Sequence, residues 1–104
     1  MIQESRRAEK SAFTATAEVE LSAVVRKARV RELWIHGCYL AMPDPFSKGA
    51  SVIIKIRTAR EFFQCNASVA HSTCGTGMGL KFDKVSPPFQ IVLHEWLLQS
   101  VEIR

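Results

Sequence analysis

The sequence predicts a mainly β domain, a six-stranded antiparallel β-barrel with one C-terminal α-helix. Three observations carry that reading. Apolar and polar residues alternate with period 2 in several short stretches, the mark of half-buried strands. Pro, Gly, Asp and Ser cluster between those stretches, where the chain must reverse. After Ser86 the apolar spacing changes to that of a helix. Short antiparallel strands followed by one helix suit a small closed barrel, with the helix packed on an open end or a face.

Residues 1–11 read as a flexible, basic N-terminal arm, and residues 12–104 as the barrel domain with its terminal helix. Ala12–Leu21 alternates strictly, with Phe13, Ala15, Ala17, Val19 and Leu21 on one side and Thr14, Thr16, Glu18 and Glu20 on the other. Val24–Trp34 is less regular. Val24, Arg26, Ala28, Val30, Glu32 and Trp34 share one face; Val25, Lys27, Arg29, Arg31 and Leu33 share the other. Neither face is cleanly apolar, so a β-bulge is expected in this strand. Cys38–Met42 is a short apolar strand stopped by Pro43-Asp44-Pro45, since proline cannot donate to a ladder. Ser47-Lys48-Gly49 is turn chemistry.

In Ser51–Arg57, Val52, Ile54 and Ile56 oppose Ile53, Lys55 and Arg57. Glu61–His71 places Phe63, Cys65, Ala67 and Val69 on one face; Cys74-Gly75-Thr76-Gly77 is a turn, and Met78–Phe82 is the last strand. Ser86 is then a suitable N-cap, with Pro87 where a helix tolerates proline. Phe89, Val92, Leu93, Trp96 and Leu97 recur at helical spacing.

A length of 104 residues allows one domain and one core. With 47% hydrophobic and 23% charged residues the composition is that of an ordinary globular protein. The net charge of +4 favours an anionic partner but is too small for a DNA coat, and no DNA partner is expected. Seven basic residues fall between Met1 and Arg31. The three cysteines, Cys38, Cys65 and Cys74, are widely spaced and form no zinc pattern. Reduced thiols in a cytoplasmic protein are expected, with Cys38 a buried, inert thiol. No apolar run approaches the ~18 residues of a membrane span, and the N-terminus lacks the apolar core of a signal peptide. His71 and His94 have no metal spacing. Gly75-Thr76-Gly77-Met78-Gly79 lies between strands rather than before a helix, so a dinucleotide loop is excluded. No nucleophile–base pair or carboxylate dyad stands out, and neither catalysis nor a cofactor is expected.

Five stretches, in this order, resemble the PilZ domain family: Arg6-Arg7-Ala8-Glu9-Lys10, Glu32-Leu33-Trp34-Ile35-His36-Gly37, Gly37-Cys38-Tyr39-Leu40, Pro45 followed by Gly49, and Gly77-Met78-Gly79-Leu80-Lys81-Phe82. The resemblance spans Arg6 to about Leu97. It implies a six-stranded barrel and a bacterial receptor for the second messenger cyclic di-GMP. The family's ligand motifs are R-x-x-x-R before the first strand and [D/N]-x-S-x-x-G at the end of the second. The resemblance therefore implies ligand contacts from Arg6, Arg7, Lys10, Glu32, Trp34 and Gly37.

That chemistry has a physical basis. A guanidinium meets guanine O6 and N7 bidentately and also stacks on a base. Cations on an arm neutralise the two phosphates. A carboxylate accepts from the guanine amino and imino edge, and a glycine lets the backbone approach the ligand. The chain departs from the motifs at three of these positions. Lys10 keeps the charge of the second arginine but loses its fork. Glu32 sets its carboxylate one methylene further out than Asp. Trp34 replaces a serine hydroxyl by a ring that either fills the pocket or offers a base a stacking surface worth ~1–3 kcal/mol.

Two functional readings compete closely. In the first, cyclic di-GMP orders the arm against the barrel and the new surface engages an effector protein. In the second, a degenerate PilZ module has lost the ligand and acts by protein–protein contact, with Trp34 as an interface anchor. General nucleic-acid binding through Arg26, Lys27, Arg29 and Arg31 ranks behind both. Preservation of Arg6, Arg7, an acid at position 32 and Gly37 favours the first.

Overall fold

The computed structural model describes residues 15–103, with side-chain surroundings described to Gln99. The arm, with Arg6, Arg7 and Lys10, and the first residues of the predicted opening strand lie outside the described residues. Six strands follow: β1 (Thr16–Leu21), β2 (Val24–Leu33), β3 (Gly37–Ala41), β4 (Ser51–Arg57), β5 (Phe62–Thr73) and β6 (Gly77–Lys84). Among the described residues one helix, α1 (Pro87–Ile103), follows the strands.

The strands close in the order β1-β2-β3-β6-β5-β4, every neighbouring pair antiparallel. Closure is made by β1 against β4, from Thr16 opposite Arg57 to Glu20 opposite Ile53. Alternation follows the sequence. Val52, Ile54 and Ile56 of β4 and Phe63, Cys65, Ala67 and Val69 of β5 point inward and are buried. Val19, Leu40 and Met78 meet them from β1, β3 and β6. The hairpin between β1 and β2 turns on Ser22 and Ala23, both at positive φ (49° and 72°), the conformation a two-residue hairpin turn demands.

The helix begins as its sequence suggests. The Ser86 carbonyl accepts from Gln90 N at 2.9 Å, and Pro87 occupies the first helical position, where its missing N–H leaves no partner unmet. Leu93 and Trp96 are buried against the barrel. They meet it where β5 begins and β6 ends. The Phe63 ring lies 5.1 Å from Phe82, 6.1 Å from Phe89 and 6.4 Å from Trp96. Trp96 Nε1 donates to Glu61 Oε1 at 2.9 Å, so the helix is tied to the barrel by a polar bond as well as by rings.

Cys38 and Cys65 are free thiols inside the barrel, and Cys74 is exposed. Burial, then the neighbouring Asp83 charge, pushes the Cys65 thiol from 9.0 up to about 12. Burial, with a smaller effect from Cys65, raises Cys38 as well.

Phe63→Ala removes the ring that joins helix to barrel. Urea unfolding is expected to report a loss of about 3–5 kcal/mol. The thiols set a pH dependence. Both stay protonated in the folded chain where they ionise once unfolded. Their contribution is therefore intact below about pH 9 and is lost as pH rises towards about 12. Unfolding midpoints taken across that window should fall more steeply for the wild type than for a Cys38→Ala/Cys65→Ala variant.

Candidate functional site

The surface around the second motif is set by one irregularity. Along β2, Val25, Lys27, Arg29 and Arg31 are exposed, while Val30 is buried and Arg26 and Ala28 are half-buried. Val30 stands opposite Leu40, yet Glu32, two residues on, stands opposite the very next residue of β3, Tyr39. Arg31 is thus the extra residue of a β-bulge, and the alternation slips by one position. Leu33, opposite the buried Cys38, turns inward and packs against the core. Glu32 and Trp34 turn outward.

The uninterrupted alternation predicts the reverse, with Glu32 and Trp34 on the face of Val30 and Leu33 beside Arg31. The bulge corrects that assignment. Lys27, Arg29, Arg31, Glu32 and Trp34 all reach the outer surface. Trp34 is 49% exposed. Its backbone N–H donates to the Gly37 carbonyl at 2.8 Å, closing the turn Ile35-His36 that leads into β3.

Gly37 lies in the barrel wall. It is buried, and a Cβ on it would strike the Leu80 carbonyl of β6. The approach it permits is that of β3 to β6, whereas the motif by itself suggested approach of a ligand. Across the outer face the register forms the row Glu32, Tyr39, Gly79, His71. The Tyr39 and His71 rings stack across the glycine, 6.0 Å apart and inclined by 25°, and a Cβ on Gly79 would collide with the His71 ring. Sequence reasoning missed this pair, because only the strand order brings residues 39 and 71 to opposite sides of β6.

The cations of β2 divide into two kinds. Arg26 is committed: its Nη1 donates to the Asp44 carbonyl at 3.0 Å, lies 3.7 Å from the Asp44 carboxylate, and its guanidinium covers the Phe46 ring at 4.3 Å. Lys27 sits in a row with Glu18 and Lys55. Arg29 sits in a row with Thr16 and Arg57 that holds no acid. Among the described residues, no carboxylate lies within 4.0 Å of Arg29 or Arg31. Lys27, Arg29 and Arg31 line a surface groove of about 640 Å³ with Thr16 and the Gly75-Thr76 turn. The pairing of β1 with β2 extends to this place: the Ala15 carbonyl accepts from Val30 N at 3.3 Å. Among the described residues no three His, Cys, Asp or Glu side chains gather as a metal site. No helix among them is long and apolar enough to cross a membrane.

A closed six-stranded barrel with a terminal helix and a polar motif at the end of β2 defines a domain of the PilZ type. The PilZ domain family model matches residues 4–99; the chain belongs to that family. Its fold is similar to a solved structure described as the PilZ domain with c-di-GMP of YcgR from Escherichia coli. The TM-score is 0.70 at 15% identity, with 86% of this chain and 82% of that one covered. A search of curated proteins finds no match.

Gly37→Ala tests which surface needs the glycine. If its role is the contact between β3 and β6, the variant loses about 1–3 kcal/mol of stability. An unfolding midpoint equal to that of the wild type would rule that role out.

Proposed function

We propose that this domain is a cytosolic receptor for cyclic di-GMP that relays ligand binding to an effector protein. The observation that carries the reading is a family match that begins ahead of β1 and takes in the arm motif, joined to the outward placement of Glu32 and Trp34 beside the entry of the chain into β1. Arg6 and Arg7 supply guanidiniums for the guanine O6/N7 edge or for stacking. Lys10 supplies charge to a phosphate. The Glu32 carboxylate accepts from the amino and imino edge of a guanine. The exposed indole of Trp34 takes the place of a hydroxyl contact with a stacking surface. Gly37 holds the turn and the wall behind these groups. Binding draws the arm over the outer face of β2, and the composite surface is what an effector reads.

One observation favours the second reading, a module that works by protein contact without the nucleotide. Trp34 (49%) and Ile35 (41%) are both exposed at the same turn, an apolar pair of the sort that anchors interfaces.

Calorimetric titration with cyclic di-GMP, with GTP as control, separates the two. The receptor reading expects a saturable isotherm, accompanied by a change in tryptophan fluorescence that Trp34→Phe abolishes, Trp34 being 49% exposed. Arg6→Ala and Arg7→Ala should each weaken binding by about 1–3 kcal/mol with the unfolding midpoint unchanged. Lys10→Arg, which restores the fork, should tighten it. A folded protein that produces no heat at high ligand concentration would move the search to a protein partner.

A further inference from the structure

We propose that Arg29 and Arg31, on the outer face of β2, bind the phosphates of the dinucleotide from the barrel wall. This rests on the receptor reading above and names residues that the two sequence motifs do not contain.

Four observations converge. Arg29 and Arg31 are exposed on one face, and among the described residues neither has an acid within ion-pair distance. Two residues along a strand place them about 7 Å apart, a span suited to two anionic groups of one small ligand. The bulge makes Arg31 the immediate neighbour of Glu32 on the same surface, so a ligand that reaches Glu32 also reaches Arg31. A groove of about 640 Å³ along Arg29 and Arg31 gives the room. The chemistry also answers a deficit. The arm carries lysine where a second guanidinium is expected, and a guanidinium binds phosphate through two parallel donors while an ammonium acts as a point charge. Two guanidiniums on β2 restore that capacity from a rigid strand.

The test is calorimetric titration of the full chain with cyclic di-GMP for the wild type, Arg29→Ala, Arg31→Ala, the double variant and Lys48→Ala, at low and moderate salt. Lys48 is an exposed cation on the loop between β3 and β4, and it controls for general charge. Each arginine variant should bind about tenfold more weakly and the double variant about a hundredfold. Affinity of the double variant should respond less to salt than that of the wild type. Lys48→Ala should match the wild type. Arg31→Lys should recover part of the loss. Thermal midpoints should not fall, because removing either of two neighbouring like charges takes nothing from the core. If the wild type binds and the arginine variants stay within about twofold of it, the phosphate assignment is wrong while the receptor reading stands. An equal loss in Lys48→Ala also overturns it, as non-specific charge. A folded wild type with no isotherm overturns the receptor reading and this assignment together.

Discussion

One surplus residue in β2 organises this domain. A strand that passes along a barrel must keep its apolar side chains inward, and β2 does so from Arg26 to Val30. The bulge at Arg31 then resets the alternation, and two things follow from the same slip. Leu33 joins the core beside Cys38. Glu32 and Trp34 move to the side where Lys27, Arg29 and Arg31 already stand. Without the slip, a carboxylate and an indole would point into a barrel with no polar group to receive them, at a desolvation cost of several kcal/mol. The polar surface and the apolar core are therefore joint products of one local geometry.

The glycine of the second motif belongs to the architecture. A Cβ at position 37 would collide with the Leu80 carbonyl of the neighbouring strand, and any sequence that folds with β3 this close to β6 needs a residue without a side chain there. Its presence is thus a statement about the barrel, silent about a ligand. The informative positions are the ones that packing leaves open: Glu32, Trp34 and the outward arginines. Set against the family's second motif, position 34 carries a ring in place of a hydroxyl and position 32 a longer acid.

Much of the fold was legible because its strands are short and one-sided. Val52, Ile54 and Ile56, and Phe63 through Val69, name their own faces by alternation. Ser86, Pro87 and the Phe89-to-Leu97 stripe mark the helix. Strand ends were less legible: β5 runs to Thr73 and β6 to Lys84, past the last apolar residue of each, because ladder bonds persist where side chains no longer need burial. The irregularity of β2 announced a bulge, but its position could not be read, since mixed charge and apolarity on both faces fit several slips equally. That ambiguity left open the side on which Glu32 and Trp34 stand. The Tyr39–His71 stack was beyond reach for a different reason: its partners meet only through strand order, which local pattern does not encode.

The closure of β1 onto β4 has a consequence for how this domain can be approached. An open sheet offers rows of unsatisfied amides and carbonyls, and an incoming peptide can dock there simply by becoming another strand, almost regardless of its sequence. Here every one of the six strands has a neighbour on both sides. Backbone-only recruitment is shut off, along with the runaway self-association it invites. Whatever docks on the barrel must be chosen side chain by side chain, and so a few residues on the outside of β2 can carry the domain's selectivity.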